Sequence, residues 1–167
     1  MRKEIERKYL VRSEGWRALA TSARSLRQGY LAKGPGVTVR VRAAAGEGRL
    51  TLKSRLSGPS RMEFEYVIPP EEAHALLEGY AGSCLVEKVR HAVPCGERLW
   101  EVDVFGGLNE GLILAEIELA SVEEPVQLPD WVGREVTEDP RFYNQFLAEQ
   151  PFGQWPREER ERCTLAR

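Results

Sequence analysis

Eight stretches of the chain alternate polar and apolar residues with a period of two, which predicts β-strands. The stretches cover residues 3–11, 24–32, 37–44, 49–56, 61–68, 85–94, 97–105 and 112–121. Short helices are expected at residues 14–21, 70–80, 141–150 and 157–162. Pro70 suits the first turn of the second helix, where the missing N–H of proline is not needed. The pattern predicts an α+β fold that is mainly antiparallel β.

Charged residues stand two apart on seven of these strands, and the members of each set therefore share one face. Most sets carry one sign of charge, although neighbouring like charges repel each other. This sorting indicates that something outside the strands compensates the charges: metal cations for the acids and phosphates for the bases. The sets are Glu4, Glu6 and Lys8; Arg40 and Arg42; Lys53 and Arg55; Glu63 and Glu65; Lys88 and Arg90; Glu101 and Asp103; Glu116 and Glu118.

The opposite face of the strands is mostly apolar or aromatic, as Val41, Trp100 and Ile117 illustrate. One interpretation is an antiparallel sandwich whose charged faces lie in water. The other is an eight-stranded antiparallel closed β-barrel whose charges line the lumen, because eight strands can enclose a ligand-sized interior. The sorting of charges favours this tunnel, with the short helices packed outside it. The helices of the expected outer jacket are 14–21, 70–80 and 141–150.

Composition narrows the class of protein. The chain has 167 residues, 42% of them hydrophobic, and a net charge of −2. These values predict a single domain, 1–167, that does not bind nucleic acid through bulk positive charge. Residues 151–167 are expected to form a solvated C-terminal tail or, alternatively, a lid over one tunnel mouth.

The cysteines and the N-terminal residues indicate the cellular compartment of the protein. Cys84, Cys95 and Cys163 stand at unrelated spacings, which indicates reduced thiols in a cytoplasmic protein. Neither a signal peptide nor a membrane-spanning segment is expected. The sequence leaves open whether the protein is a monomer or a homodimer.

The motif Glu4-Ile-Glu6-Arg-Lys8 has the form ExExK, and in this the chain resembles the CYTH superfamily, also called the triphosphate tunnel metalloenzymes. The resemblance runs in order to about residue 120, and 137–147 resembles the closing segment of that family. It implies an eight-stranded β-tunnel that binds triphosphate compounds with a divalent metal. The other matching motifs are Gln28-Gly-Tyr30, Val39-Arg-Val-Arg42, Leu50-Thr-Leu-Lys53, Glu63-Phe-Glu65, Glu87-Lys-Val-Arg90, Trp100-Glu-Val-Asp-Val-Phe105 and Glu116-Ile-Glu118.

Basic residues on several strands are the candidates for triphosphate binding. Arginine offers a planar fork to two phosphate oxygens, and lysine offers a compact charge. For each of them, an ordinary ion pair with a carboxylate is the alternative role. The candidates are Lys8, Arg40, Arg42, Lys53, Lys88 and Arg90.

The acids divide into two groups. Mg²⁺ or Mn²⁺ prefers carboxylate, phosphate and water oxygens, whereas zinc would call for histidine or cysteine clusters that are missing from the sequence. The preferred metal ligands are Glu4, Glu6, Glu116 and Glu118. The remaining acids are expected to orient bases or waters or to bind a second metal, with simple ion pairing as the alternative. They are Glu63, Glu65, Glu101 and Asp103.

The resemblance implies a metal-dependent triphosphatase, and the leading substrate is inorganic triphosphate, cleaved to pyrophosphate and phosphate. The resemblance places Tyr30 near Lys8, and this pair would orient the attacking water. The alternative for Tyr30 is a structural tyrosine that is hydrogen-bonded to a carboxylate. Alternatively, Lys8 would be a base if its charged form were disfavoured.

Other functions stay open at this point. A class IV-type adenylate cyclase shares the tunnel, but the His-Phe pair associated with that branch is missing before Glu4. A thiamine triphosphatase would need an aromatic slot. A polyphosphate-binding module without catalysis would use the same bases, with the acids serving as ion-pair partners.

Overall fold

The computed structural model of the chain describes residues 5–34, 37–55, 61–82, 84–121 and 123–164. These residues form nine strands and three α-helices, and short 3₁₀ helices connect them. The strands are β1 Ile5–Val11, β2 Ser22–Lys33, β3 Val37–Ala44, β4 Glu47–Arg55, β5 Arg61–Ile68, β6 Leu85–Cys95, β7 Arg98–Gly106, β8 Ile113–Leu119 and β9 Val132–Glu135. The α-helices are α1 Pro70–Tyr80, α2 Asn144–Glu149 and α3 Arg157–Cys163, and the 3₁₀ helices are Glu14–Leu19, Gly107–Asn109, Pro140–Phe142 and Phe152–Gln154.

All nine strands belong to one antiparallel sheet with the order β5-β4-β3-β2-β6-β7-β8-β1-β9. The predicted mainly β, antiparallel fold is confirmed, but the eight-stranded closed barrel is wrong. Closure needs the two edge strands to pair. Here the short strand β9 takes the free edge of β1, with Tyr9 opposite Glu135. Within the described residues no strand pairing joins β5 to β9, and the sheet is therefore open.

Two apolar clusters cover the outer face of the sheet, as the alternation predicted. Over β3, the helix α1 packs Ala73 and Leu77 against Val41. Gly29 on β2 lets this helix approach closely, because a Cβ there would lie 2.6 Å from the Cβ of Ala81. Over β1 and β6 to β8, Trp16 of the first 3₁₀ helix completes the second cluster. The two segments expected at 14–21 and 70–80 therefore do lie outside the sheet.

A third cluster, here called the inner core, lies on the same face of the sheet as the charges. Leu10 follows Lys8 by two residues and Leu114 precedes Glu116 by two, so each apolar side chain shares the face of its charged neighbour. The C-terminal segments fill this end of the inner face with large side chains. The inner core consists of Leu10, Val86, Phe105, Leu112, Leu114, Val136, Phe142, Leu147, Ala148, Phe152, Trp155 and Cys163.

The inner core corrects two expectations about the C-terminal region. The segment 141–150 is not part of an outer jacket, because Leu147 of α2 is buried against the inner face. The expectation of a wholly solvated tail is corrected as well, because Phe152 and Trp155 are buried, although residues 157–162 of α3 are exposed or half-buried, as expected for a solvated helix end. Strands β1, β6, β7 and β8 offer apolar side chains at this end, and the C-terminal region covers them. Among the described residues, no helix is both long and apolar enough to cross a membrane.

Candidate active site

A cavity of about 530 Å³ lies on the inner face of the sheet, beside the inner core. Side chains from all of β1 to β8 line this charged cavity, and α2 adds Asn144. The sheet thus curves far enough for residues of β1 and β5 to face the same space. The predicted site residues that line it are Glu6, Lys8, Arg40, Arg42, Lys53, Glu63, Glu65, Lys88, Arg90, Glu101, Glu116 and Glu118.

Of the remaining predicted site residues, Asp103 and Tyr30 are not part of this lining. Glu4 lies outside the described residues. Asp103 is fully buried behind the cavity surface, and Tyr30 is half-buried and packs against the inner core.

One side of the cavity, here called the acidic wall, consists of the charged residues on β1, β6, β7 and β8, where acids outnumber bases. Lys8 bridges Glu6 on its own strand and Glu116 on β8. Arg90 donates from Nη2 to Glu116 at 2.6 Å, and it also pairs with Glu101 on β7. The acidic wall is therefore one continuous ionic network across four strands.

Asp103 anchors this network from below. Its Oδ1 accepts a hydrogen bond from Arg90 Nε at 2.7 Å, and its Oδ2 accepts one from Arg90 Nη2 at 2.7 Å. Lys88 Nζ also lies 2.5 Å from Oδ2. The Asp103 side chain is fully buried and that of Lys88 is nearly so. Because both Asp103 oxygens are engaged by bases, this residue holds Lys88 and Arg90 in place and is not arranged as a metal ligand.

The network shifts the pKa values of Glu116 and Lys8. Burial raises the pKa of the Glu116 carboxyl, but Lys88, Lys8 and Arg90 outweigh that effect and lower the pKa to about 2. Burial lowers the pKa of Lys8, and the nearby Glu116 and Glu6 outweigh it and raise the pKa. The charged form of Lys8 is therefore favoured. The alternative role of Lys8 as a base required the charged form to be disfavoured, and the direction of the pKa shift argues against it.

The other side of the cavity, here called the basic wall, consists of the charged residues on β3, β4 and β5 and is more loosely paired. Arg40 lies 3.7 Å from Glu63, and Arg42 lies 3.7 Å from Glu65. Lys53 is closer to its partner, at 2.8 Å from Glu63. The Nε of Arg40 is buried and has no hydrogen-bond partner among the described residues. The basic wall therefore keeps a donor that no described residue uses.

Like charges crowd the basic wall. Burial lowers the pKa of Arg42, and the nearby Arg40 lowers it further, although Glu65 opposes this. Guanidinium groups still remain charged at physiological pH. Burial and the like charge of Arg40 both disfavour the charged form of Arg42, and an anion in the cavity would offset the repulsion from Arg40.

Tyr30 lies close to both walls, within the electrostatic influence of Arg40 and Lys8. Gln28 Nε2 donates a hydrogen bond to its hydroxyl at 3.4 Å. Burial raises the pKa of the Tyr30 hydroxyl, while Arg40 and Lys8 lower it in part. The phenol is therefore protonated at neutral pH and lies within the electrostatic reach of Lys8.

The acids of the cavity suit a hard cation in company with a phosphate ligand. Glu6 and Glu118 stand directly opposite each other on β1 and β8 and carry like charges, which repel unless a cation compensates them. Within the part of the chain that the structure describes, no three His, Cys, Asp or Glu side chains converge to form a complete metal site. Mg²⁺ usually binds one or two carboxylates plus substrate phosphates and water. The donor set fits that mode.

Sequence reasoning missed two kinds of site residue. Gln28 and Asn144 line the cavity with carboxamides. Both stand in segments that resemble the family, but the charge pattern assigned no role to either. Thr137 positions Lys8, because its Oγ1 accepts a hydrogen bond from the Lys8 backbone N–H at 3.0 Å. The neighbouring Val136 N–H donates to the Lys8 carbonyl at 2.8 Å. The only signal for these contacts was the resemblance of 137–147 to a closing segment.

Comparison with known proteins agrees with this geometry. The family model described as the CYTH domain matches residues 2–143. A protein of Acetivibrio thermocellus named inorganic triphosphatase is 43% identical over 152 residues, which cover 91% of this chain and 97% of that protein. A second inorganic triphosphatase, from Nitrosomonas europaea, is 40% identical over 87% of this chain and 96% of its own length.

A solved structure extends the agreement to three dimensions. The crystal structure of the inorganic triphosphatase NE1496 superposes with a TM-score of 0.70 at 35% identity, covering 89% of this chain and 95% of that one. The shared fold, and the order along this chain of the motifs that line the cavity, agree with the family predicted from the sequence. The chain therefore belongs to the CYTH domain family.

Proposed function

We propose that this protein is a divalent-metal-dependent hydrolase that cleaves inorganic triphosphate to pyrophosphate and phosphate. The observation that carries the proposal is the convergence of the six predicted bases, from four strands, on one cavity that also contains an acidic wall. A compact polyanion needs cations from several directions, and a cation bound to that polyanion needs carboxylates. Both requirements are met within about 530 Å³, a volume in the range of small-molecule sites.

The names of the relatives support the same activity. Two proteins that match most of this chain, at 43% and 40% identity, are both named inorganic triphosphatase. The predicted triphosphatase activity agrees with both names. At these identities over nearly the whole length, a shared reaction is the simplest reading.

The basic wall is suited to take up the phosphate chain. Arg40 and Arg42 lie 3.7 Å from their carboxylate partners, beyond a normal hydrogen bond. Phosphate oxygens that approach Arg40 and Arg42 form charge-assisted hydrogen bonds without first breaking strong ones. The carboxylates of Glu63 and Glu65 on the edge strand β5 then remain as partners for Lys53 and Arg49.

The acidic wall is suited to the chemical step. Glu6, Glu116 and Glu118, together with Glu4, are the proposed ligands of Mg²⁺ or Mn²⁺. A bound divalent cation supplies charge neutralisation at the phosphoryl oxygens and activation of the attacking water. Lys8 and Arg90 are held as cations by Glu116 and stabilise the charge that develops on the transferred phosphoryl group. The protonated Tyr30 hydroxyl orients water beside Lys8.

The cavity offers little to a nucleobase or a thiamine ring. The described residues that line it include Leu26 and Leu99 but no aromatic side chain. Trp16, Trp100 and Trp131 belong to the outer cluster over β1 and β6 to β8, and Trp155 belongs to the inner core. Without a stacking surface, adenylate cyclase and thiamine triphosphatase activities have no support beyond the shared fold.

A substrate panel tests the proposal. Inorganic triphosphate, ATP and thiamine triphosphate are incubated with the protein and Mg²⁺ or Mn²⁺, and the products are identified by phosphorus NMR. We expect pyrophosphate and phosphate from inorganic triphosphate, at a rate at least about 100-fold above those of the other two. Binding of triphosphate without turnover under either metal would instead identify a polyphosphate-binding module. Formation of cyclic AMP would identify a cyclase.

The remaining proposals concern the cellular setting. The domain 1–167 acts as a single unit on a small-molecule triphosphate, without nucleic acid or membrane partners, as a monomer or homodimer. Cys84, Cys95 and Cys163 are free thiols, which supports a reducing compartment such as the cytoplasm.

A further inference from the structure

The charged cavity is closed at one end. Along β7, exposure falls from 54% at Leu99 to 3% at Phe105, and both residues have the parity of the inner face. β1 and β8 change in the same direction, since Glu6 and Glu118 are exposed while Leu10 and Leu114 are buried. Access therefore runs from the Leu99 end toward the inner core, over roughly 20 Å of strand.

Lys88 and Asn144 form the floor at the closed end. Lys88 is almost fully buried and lies 5.3 Å from the ring centroid of Phe105 in the inner core. Its Nζ donates to Oδ1 of Asn144, the first residue of α2, at 3.4 Å. Because the amide oxygen is engaged by Lys88, the N–H groups of Asn144 are what this side chain can offer to a ligand.

We infer that Asn144, with Lys88, is a specificity-determining residue that binds the free terminal phosphate of the substrate at the floor of a one-ended cavity. This inference rests on the proposed triphosphate-binding function. A terminal phosphate carries more charge and more unesterified oxygens than an internal one, and it matches an ammonium beside a carboxamide donor. A phosphate chain must then enter end first, and any substituent on it must point toward the open mouth.

Methyl-capped triphosphates test the one-ended cavity in the wild-type protein. Inorganic triphosphate, methyl triphosphate and P1,P3-dimethyl triphosphate are compared by calorimetric binding without added metal, where no turnover is expected. A single methyl cap leaves one terminal phosphate free to bind Lys88 and Asn144, and we expect the binding affinity to fall by less than about 3-fold. The second cap removes the last free end, and we expect a further loss of at least about 10-fold. Two equal, small losses would overturn the inference, because they would mean that no free end is required.

Asn144→Ala and Gln145→Ala form a matched pair on α2. Both remove a carboxamide, but Gln145 is exposed and is not part of the cavity lining. We expect Asn144→Ala to weaken triphosphate binding about 10-fold and to shrink the penalty of the second cap, whereas Gln145→Ala changes neither. Unchanged binding in Asn144→Ala would overturn the role of this residue. If Asn144→Ala does not fold, Asn144→Ser is measured, and the capped series on the wild type still decides the question.

The measurements test the proposed hydrolysis and this inference separately, because either one can be refuted while the other is supported. Triphosphate that binds with the expected response to capping but is not cleaved when Mg²⁺ or Mn²⁺ is added would refute the hydrolase and leave the floor intact. Cleavage of triphosphate together with equal losses of affinity for the two caps would support the hydrolase and refute the binding of a free terminal phosphate at the floor.

Discussion

The two walls of the cavity carry similar residue types but pair them differently. On the acidic wall, Arg90 binds Asp103 through two hydrogen bonds of 2.7 Å, and the carboxylate is fully buried. On the basic wall, Arg40 and Arg42 lie 3.7 Å from partially exposed glutamates. Buried, fully satisfied pairs are rigid, and breaking one is costly, whereas loose and exposed pairs contribute little. The contrast suggests that one wall holds a fixed arrangement of charge and the other exchanges its partners for substrate.

Neutralising Glu116 should have the largest effect on activity. In Glu116→Gln, Lys8 and Arg90 lose a carboxylate partner and the proposed metal site loses a ligand. We expect kcat to fall about 100-fold or more, while the affinity for triphosphate is retained, since positive charge in the cavity increases. Glu110→Gln, an exposed site in the turn before β8, is the control. Steady-state kinetics and calorimetric binding measure both quantities. A Glu116→Gln protein with full turnover would contradict the catalytic role of the acidic wall.

Removing the buried anchor should have the largest effect on stability. Asp103→Asn keeps the shape but leaves Lys88 and Arg90 without their shared carboxylate, and we expect the free energy of unfolding to fall by about 3 kcal/mol. Glu63→Gln is the matched change on the basic wall and should cost less than about 1 kcal/mol, because Glu63 is exposed. Urea denaturation measures both variants. Equal losses would remove the distinction between a rigid and a loose wall.

Shortening a basic-wall arginine should weaken binding without unfolding the protein. In Arg42→Ala we expect the Kd for triphosphate to rise about 10-fold to 100-fold, since charge-assisted hydrogen bonds are lost. The melting temperature should stay the same or rise, because like-charge repulsion with Arg40 disappears. Arg42→Lys tests the fork geometry, and it should restore only part of the affinity. A loss of stability instead of affinity would show that Arg42 is structural.

Acidification should affect the acidic wall through Glu116, and this is the smallest effect. The pKa of Glu116 is lowered in the folded protein to about 2 from the ordinary value of 4.5. Its contribution to stability is therefore present above about pH 4.5 and is lost as the pH falls toward 2. We expect the free energy of unfolding to fall more steeply between pH 5 and pH 3 in the wild type than in Glu116→Gln. Identical pH profiles would mean that Glu116 is not held by the network.

Much of the site followed from the sequence because side-chain alternation is a local property. Glu116 and Glu118 had to share a face with each other, and the same logic held for Arg40 and Arg42. Their sorted charges indicated an enclosed ionic site. The apolar parity of Val41 and Trp100 correctly indicated that α1 and the first 3₁₀ helix would cover the outer face.

Only the tertiary structure decided how the charges are partnered and where the cavity ends. In the sequence, nothing distinguished Asp103 from the other acids of the alternating pattern. Its burial between Lys88 and Arg90 depends on the register of β6 and β7. The edge strand Val132–Glu135 has no alternation to reveal it, yet it takes the edge of β1 and leaves the sheet open. Asn144 meets Lys88 across 56 residues of sequence, a contact set by packing of the C-terminal helices against Leu10 and Val86. Local periodicity determines which face a side chain points to, whereas its neighbours on that face come from distant segments and depend on the whole fold.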